Sequence, residues 1–94
     1  MAKHLRIVGL VQGVGYRAAF AAQAHALKLS GWVRNRPDGS VEATLAGEAL
    51  ALKNIVDWAG HGPAGAQVRA VSVVEVDDAL VMDGQFHIWP TDRR

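Results

Sequence analysis

The architecture is predicted first of all by residues 3–29, KHLRIVGLVQGVGYRAAFAAQAHALKL. From Lys3 to Val11, apolar residues recur at every second position, which is the period of a β-strand. Gln12–Gly15 is a turn rich in glycine. From about Tyr16 to Leu29, apolar residues follow the i, i+4, i+7 spacing of a helix. The segment therefore predicts a strand, a glycine loop and a helix, with Ser30-Gly31 as the helix stop.

A tight hairpin is predicted at residues 36–39, Arg-Pro-Asp-Gly. Pro37 presets the φ angle of the second turn position, and Gly39 can adopt the positive φ that the turn needs. Short strands are therefore predicted on either side of the turn, at Trp32–Arg36 and from Val41 to Leu45.

A second helix and two strands are predicted in the rest of the chain. The helix carries a stripe of four apolar residues, Leu52, Ile55, Val56 and Ala59. Glu48 is expected in its first turn, where a carboxylate is favourable, and residues 60–63, Gly-His-Gly-Pro, end it. Val68–Val76 predicts a long strand with a bulge or bend near Ala70-Val71. Gly84–Trp89 predicts a short last strand.

The predicted element order is β-α-β-β-α-β-β. Two right-handed crossovers place both helices on one face of one sheet. The predicted fold is α+β, a ferredoxin-like βαββαβ open sandwich: a single, mainly antiparallel sheet with two helices on one face and a short extra C-terminal strand. Phe86 and Ile88 are expected to face inward on that last strand. The other sheet face is left for solvent or ligands.

Length and composition limit the classes of function. The 94 residues predict one domain, residues 1–94. No cysteine is present, which excludes a disulfide scaffold, a thiolate metal site and a cysteine nucleophile. The net charge is +1, whereas a nucleic-acid binder of this size carries a denser basic face. No apolar run approaches the roughly 20 residues that span a bilayer, and no secretory segment follows Met1, so a soluble cytoplasmic protein is expected.

The glycine loop and Arg17 predict an anion site. Residues 11–17, Val-Gln-Gly-Val-Gly-Tyr-Arg, follow a strand and open a helix. Backbone N–H groups there lack helical partners and, together with the helix dipole, favour an anion. Arg17 lies in the first turn, where a cation opposes the dipole unless an anion is bound. Because its planar guanidinium suits phosphate oxygens, we favour a phosphate site over an exposed arginine at an ordinary helix start.

Two other phosphate-binding motifs do not fit this chain. Gly13-x-Gly15-x-x-Ala18 matches the loose dinucleotide fingerprint, but the second strand runs into the hairpin and the chain is too short for the usual two-half fold. A Walker A motif is excluded because no Gly-Lys-Ser/Thr follows the glycines.

Asn35 ends the second strand, just before the hairpin. If Val33 faces the core, Asn35 faces the helix side too, where its neutral amide can hold a water molecule by donating and accepting hydrogen bonds. An asparagine that bonds its own backbone at a turn is an equally good interpretation. The sequence pattern leaves these two roles open.

The other chemistry-bearing residues predict no site. The four histidines, His4, His25, His61 and His87, lack metal-ligand spacing. Asp77-Asp78 fits a solvated turn, and the tryptophans fit packing. Trp32, Trp58 and Trp89 are expected to pack in the core or on a sheet face, and Trp32 and Trp89 on the open sheet face would also suit nucleic-acid binding.

One phosphate loop, one arginine and one asparagine restrict the chemistry. Phosphoryl transfer depends mainly on positioning and charge stabilisation. A phosphomonoester still needs help with its leaving group, but a mixed carboxylic–phosphoric anhydride expels a weakly basic carboxylate. For that substrate an oriented water in an arginine-and-amide cradle suffices. We hypothesise that a substrate phosphate oxygen accepts the proton of the water.

The two motifs resemble those of the acylphosphatase family. Residues 9–17, GLVQGVGYR, resemble its first motif, and residues 31–41, GWVRNRPDGSV, resemble its second. The resemblance implies hydrolysis of acyl phosphates to carboxylate and orthophosphate, without a metal or cofactor, on a ferredoxin-like sandwich. It implies that the phosphate is cradled by the backbone of Gln12, Gly13, Val14, Gly15, Tyr16 and Arg17. By the same resemblance, Arg17 binds the phosphate and Asn35 orients the attacking water. Leu10 departs from the family pattern, which often has a polar residue there, and this bears on substrate preference.

Two further hypotheses stay open. A non-catalytic module on the same fold would bind an anion or RNA, since fold alone does not fix function. An acylphosphatase-like domain of a longer enzyme is disfavoured by the start at Met1 and the short tail after Trp89. The expected partners are a small-molecule acyl phosphate and inorganic phosphate as product. No membrane or nucleic-acid partner is expected, and the expected state is a monomer.

Overall fold

The computed structural model describes residues 1–77 and 84–91. The strands are β1 (Ala2–Leu10), β2 (Ser30–Asn35), β3 (Val41–Ala46), β4 (Gln67–Val76) and β5 (Phe86–Ile88), and the helices are α1 (Tyr16–Ala26) and α2 (Ala49–Ala59). The predicted order of elements is confirmed. The strands form one sheet in the order β4-β1-β3-β2-β5. β2 and β5 pair in parallel, and the other neighbouring strands pair antiparallel.

One face of the sheet is covered by both helices. The alternating side chains of β1, such as Leu5 and Ile7, are fully buried there. They share one hydrophobic cluster with Phe20 of α1 and with Leu52 and Ile55 of α2. The predicted ferredoxin-like sandwich is therefore confirmed, with β5 added beside β2.

Helix α1 ends earlier than predicted. Its last residue is Ala26 instead of Leu29, because Lys28 adopts a positive φ of 59°. The N–H of Leu29 bonds to Ala24 O (2.9 Å) and that of Lys28 to His25 O (3.1 Å), which is the Schellman pattern. The sequence gives no warning of this end, since the motif usually has glycine where Lys28 stands.

The predicted helix stop, Ser30-Gly31, belongs instead to β2. Gly31 has φ 132°, and a Cβ there would lie 1.8 Å from Thr44 O on the neighbouring strand. The glycine therefore permits a close approach of two strands rather than the end of a helix.

Smaller departures concern the ends of the other elements. The β1–β4 register shifts where Val8 pairs with Ala70 and Gly9 with Val68, so the bulge lies at Arg69, just before the predicted position. Glu48 is the residue that precedes α2 rather than a member of its first turn, and its side chain makes no capping hydrogen bond.

The open face is the face of the sheet that lies away from the helices. Its centre is less exposed than the alternation of apolar and polar side chains along the strands suggests. Glu42 and Thr44 of the central strand are 8% and 6% exposed. Glu42 accepts hydrogen bonds from Arg34 Nε (2.7 Å) and Arg36 Nη1 (3.2 Å), and its other oxygen lies 2.8 Å from His4 Nε2. Long side chains on neighbouring strands therefore cover this buried carboxylate.

Candidate active site

The loop after β1 has the backbone geometry of an anion-binding helix start. Gly13 and Gly15 have φ angles of 76° and 79°, and Gly15 directly precedes α1. The hydrogen bond from Ala19 N–H to Gly15 O (3.1 Å) marks the first turn. The N–H groups of the three preceding residues therefore have no carbonyl partner within the helix, and α1 has no acidic residue in its first turn. This helix start favours negative charge.

Tyr16 fixes the start of α1 against α2 and does not direct its side chain toward a ligand. Its ring is 1% exposed and lies 5.5 Å from Trp58 and 6.1 Å from Phe20, centroid to centroid. Its hydroxyl donates to Ala59 O over 2.8 Å, and burial raises the pKa of that hydroxyl. Tyr16 can thus contribute to an anion site through its backbone N–H alone.

Gln12 connects the loop to the hairpin. Its Nε2 donates to the carbonyl oxygens of Arg36 (2.8 Å) and Ser40 (2.9 Å), which flank the turn. The turn itself is closed by bonds from Arg36 N–H to Ser40 O (2.8 Å) and from Gly39 N–H to Arg36 O (3.1 Å). Sequence reasoning assigned Gln12 only a backbone role, and no local pattern signals this side-chain bridge over 24 residues.

Arg17 and Asn35 line one cavity of about 250 Å³, called the loop cavity below. It is bounded by Val11, Gly13, Gly15, Tyr16, Arg17, Ala18, Asn35 and Ile88. Gln12 and Val14, also predicted as loop members, are not among the lining residues. Strands β1 and β2 both pair antiparallel with β3, so they run in the same direction. The loop after β1 and the residue that ends β2 therefore meet at one end of the sheet.

Asn35 lines this cavity, and its side-chain oxygen is buried. Val33 lies two residues earlier on the same side of β2 and is fully buried. This is the condition under which Asn35 was predicted to face the helix side of the sheet. Within the described part of the chain, Asn35 Oδ1 is buried and has no hydrogen-bond partner. The turn is stabilised instead by Asp38, whose Oδ1 accepts from Ser40 N–H (2.9 Å) and Ser40 Oγ (2.6 Å). A buried polar atom of this kind is rare without a function.

Arg17 is half-buried at the cavity and is held by the end of the sheet. Its Nη1 donates to Trp89 O over 3.1 Å. Trp89 N–H in turn donates to Val33 O over 2.9 Å, which continues the pairing of β5 with β2. Ile88 was expected to face inward; it lies on the helix side as predicted, but it is 49% exposed because it borders the cavity. Phe86 is buried as expected.

A larger cavity of about 380 Å³ lies beside the hairpin, between the end of β1 and the start of β4. Asp38 and Arg69 both line it. Hydrogen bonds from Ser40 hold the pKa of Asp38 below its ordinary value, so this carboxylate stays charged and repels an anion. The smaller loop cavity is therefore the better candidate for phosphate.

The remaining candidate residues do not build a second site. The histidines are engaged in contacts within the protein: His4 pairs with Glu42, His25 Nε2 lies 3.2 Å from Phe86 O, His61 Nδ1 lies 2.9 Å from Asp57 O, and His87 also interacts with the protein. Among residues 1–77 and 84–91, no group of three or more His, Cys, Asp or Glu is arranged to hold a metal ion. Asp78 lies outside the described residues. No helix in those two ranges is long and apolar enough to cross a bilayer.

Comparison with known proteins identifies a consistent set of relatives. A family model described as "Acylphosphatase" matches residues 3–88. The chain is 50% identical over 91 residues to an acylphosphatase of Azoarcus sp. (strain BH72), covering 96% of this chain and 90% of the relative. The crystal structure of acylphosphatase from Bacillus subtilis superposes with a TM-score of 0.85 at 35% identity, covering 95% and 99% of the two chains. An acylphosphatase structure from Coxiella burnetii gives a TM-score of 0.86 at 32% identity, covering 94% and 90%.

Proposed function

This chain belongs to the acylphosphatase family, and from that premise we propose that its loop cavity binds and hydrolyses acyl phosphates. The substrate is a mixed carboxylic–phosphoric anhydride, and the products are a carboxylate and orthophosphate. The backbone of the Gln12–Arg17 loop and the side chain of Arg17 bind the phosphate. Asn35 has the task of orienting the attacking water.

The buried Oδ1 of Asn35 supports this assignment most directly. Asn35 lines the same cavity as Arg17 and the start of α1, and its Oδ1 is buried without a hydrogen-bond partner among the described residues. An unpaired buried amide oxygen is costly unless a ligand or solvent molecule pairs with it. Water is a suitable partner, because a carboxamide can accept a hydrogen bond from it through the oxygen and donate one to it through the nitrogen.

Phosphate binding follows from the charges around the cavity. Tyr16, Arg17 and Ala18 at the start of α1 line the loop cavity, and the N–H groups of a helix start complement phosphate oxygens. The left-handed backbone at Gly13 and Gly15 curls the loop into a concave, anion-binding nest. Arg17 adds a full positive charge and a planar set of donors, of which one contacts Trp89 O. A guanidinium has five N–H donors, so the others remain for a phosphate.

The chemical step needs little more than this placement. The water held by Asn35 attacks phosphorus, and a new P–O bond forms as the bond from phosphorus to the acyl oxygen breaks. The bonding electrons leave with the carboxylate, which is weakly basic and needs no proton. A phosphate oxygen of the substrate accepts the proton of the water. The loop N–H groups and Arg17 stabilise the charge on the equatorial oxygens, as phosphoryl transfer requires.

The proposal extends to how the protein works as a whole. Residues 1–94 act as a single domain and a monomer in the cytoplasm, on small-molecule acyl phosphates and without a metal or cofactor. The RNA-binding alternative is not favoured, because Trp32 and Trp89 stack on each other at 4.3 Å, centroid to centroid, with 5° between ring planes. Rings in this arrangement leave no gap into which a base can insert between them.

Turnover of acetyl phosphate tests the proposal. We expect hydrolysis in the presence of excess EDTA, together with its loss in Arg17→Gln and in Asn35→Ala. Matched controls are Arg69→Gln and Asn54→Ala, because both residues are exposed and neither lines the loop cavity. Chelator-sensitive turnover would remove the metal-independent mechanism. Unchanged turnover in either site variant would remove the role given to that residue.

A further inference from the structure

The stacked pair of Trp32 and Trp89 lies on the open face, yet Trp89 also contacts Arg17. We propose that this pair positions the Arg17 guanidinium for phosphate, acting from the opposite side of the sheet. Trp32 and Trp89 are thus positioning residues that touch no substrate. The inference rests on the proposed function of the loop cavity and adds residues that neither motif predicts for the site.

The link between the stack and Arg17 is the backbone of Trp89. The carbonyl oxygen of Trp89 accepts from Arg17 Nη1 over 3.1 Å. The N–H of the same residue donates to Val33 O over 2.9 Å. This one peptide segment therefore connects Arg17 to strand β2, on which Asn35 lies two residues further along.

The strand that carries Trp89 is short and needs additional restraint. β5 is three residues long and pairs with β2 in parallel only from Gly31–Phe86 to Val33–Ile88. It lies at the edge of the sheet, and Trp89 follows its last residue. Beyond these pairs, one backbone bond, from Trp89 N–H to Val33 O, fixes the end of the strand, and short backbone pairing of this kind needs side chains to hold the Trp89 carbonyl in place.

The tryptophan stack supplies that restraint. The two rings lie 4.3 Å apart, centroid to centroid, and are almost parallel, with 5° between their planes. The Arg34 guanidinium carbon lies 5.1 Å from the Trp32 centroid and 5.7 Å from that of Trp89, within cation–π range of both rings. Arg34 is itself held by Glu42, so the stack is anchored to the central strand.

Loss of the stack is expected to weaken phosphate binding more than it slows the chemical step. Without it, the Trp89 carbonyl moves and Arg17 must be ordered by the incoming phosphate. The ordering of a flexible side chain then opposes binding, which corresponds to about a 2- to 10-fold rise in KM. Because the bound guanidinium still reaches the phosphate, kcat changes less than KM.

The test compares four variants with the wild type on acetyl phosphate. Trp32→Leu and Trp89→Leu remove the aromatic stack while keeping apolar cover, and both are expected to raise KM about 2- to 10-fold. Trp32→Phe keeps a ring that can stack, so it is expected to retain a KM near the wild-type value. Ile55→Val is the control for lost stability, because Ile55 is fully buried in α2 and does not line the loop cavity.

A double-mutant cycle asks whether the effect passes through Arg17. The Kd for inorganic phosphate is measured by NMR titration for Trp32→Leu, Arg17→Gln and the double variant. We expect Trp32→Leu to raise this Kd in the wild-type background and to have no further effect beside Arg17→Gln. An equal rise in both backgrounds would overturn the inference.

The outcomes separate this inference from the function on which it rests. If the wild type hydrolyses acetyl phosphate and Arg17→Gln abolishes turnover, the proposed function stands. A KM for both Leu variants no higher than that of Ile55→Val would then overturn the positioning role alone. If the wild type shows no turnover, the proposed function itself fails. In that case the phosphate Kd of the Leu variants still decides whether the stack positions Arg17.

Discussion

Arg17 and Asn35 differ in what their side chains contact before any ligand binds. Arg17 already donates one hydrogen bond, to Trp89 O, whereas the Asn35 oxygen is buried with no partner among the described residues. In the proposed mechanism Arg17 is therefore a preorganised charge that binds the phosphate of the substrate and also stabilises the transition state. In the proposed mechanism Asn35 contributes to orienting the water and not to binding the phosphate. Different kinetic consequences are expected from removing each residue.

Asn35→Ala is expected to lower kcat by about 100- to 1,000-fold, the range seen when one oriented amide is lost from an active site. KM for acetyl phosphate should change little, because the phosphate contacts remain. Arg17→Gln is expected to raise KM as well as lower kcat. Steady-state kinetics measure both. A rise in KM for Asn35→Ala with unchanged kcat would contradict the division of roles, and Asn54→Ala serves as the control for loss of an exposed asparagine.

The loop between β1 and α1 depends on two glycines for its shape. Gly13 and Gly15 have positive φ angles, and a Cβ at either position would meet no atom within 4 Å. Space is therefore available to a side chain, and the restriction is the backbone conformation itself. The loop therefore needs conformationally free residues at these two positions, where the proposed site requires its N–H groups to face an anion.

Gly15→Ala is expected to lower the free energy of unfolding by about 1–2 kcal/mol and to weaken phosphate binding through distortion of the loop. Gly65→Ala is a close control, because Gly65 also has a positive φ, 93°, and open space around it, but lies outside the loop cavity. Chemical denaturation and phosphate titration measure the two effects. Equal loss of phosphate affinity in both variants would show that the loop glycines have no special role.

The sequence predicted the element types well and the interactions between elements poorly. Periodicity and turn residues identify each strand and helix among the described residues, and the topology then brings Arg17 and Asn35 to one end of the sheet. The end of α1 at Ala26 was not predictable, because Lys28 takes a conformation that the motif reserves for glycine. The Gln12 bridge to the hairpin and the contact of Arg17 with Trp89 join residues that are distant in sequence. No local spacing signals such contacts, since tertiary packing creates them.

At the scale of the whole molecule, the two faces of the sheet have different chemistry. The helix face holds the apolar core and the loop cavity. The open face holds a buried carboxylate, Glu42, among basic side chains. Burial by itself raises the pKa of Glu42, but the hydrogen bonds from Arg34 and His4 and the charges of Arg34 and Arg36 together outweigh it, so this pKa lies below its ordinary value. The ionised form is therefore the one that stabilises the fold.

The stability of the protein is expected to fall in acid because of Glu42. Because the pKa of Glu42 is lower in the folded than in the unfolded state, its ionised carboxylate stabilises the folded protein at pH values above the unfolded-state pKa of about 4.3. That contribution is lost as the pH falls through the folded pKa. Glu42→Gln is expected to cost about 1–3 kcal/mol at pH 7 and to flatten the decline of stability in acid. Urea denaturation between pH 7 and pH 3 measures both.

Glu75→Gln is the matched control for this acid dependence. The Glu75 side chain is 76% exposed and lies 3.6 Å from Lys3, a geometry that contributes little to stability. We expect its pH profile to follow that of the wild type. A wild-type profile in Glu42→Gln, or a flattened one in Glu75→Gln, would contradict the assignment of the acid dependence to the buried carboxylate.

Phosphate titration followed by amide NMR tests the central claim most directly. Inorganic phosphate is both a product of the proposed reaction and a probe of the cradle. The account predicts that the largest shifts occur in the backbone N–H signals of residues 13–18 and in the side-chain signals of Arg17 and Asn35, and that they disappear in Arg17→Gln. Saturable shifts centred on the open face, with the loop signals unmoved, would contradict it.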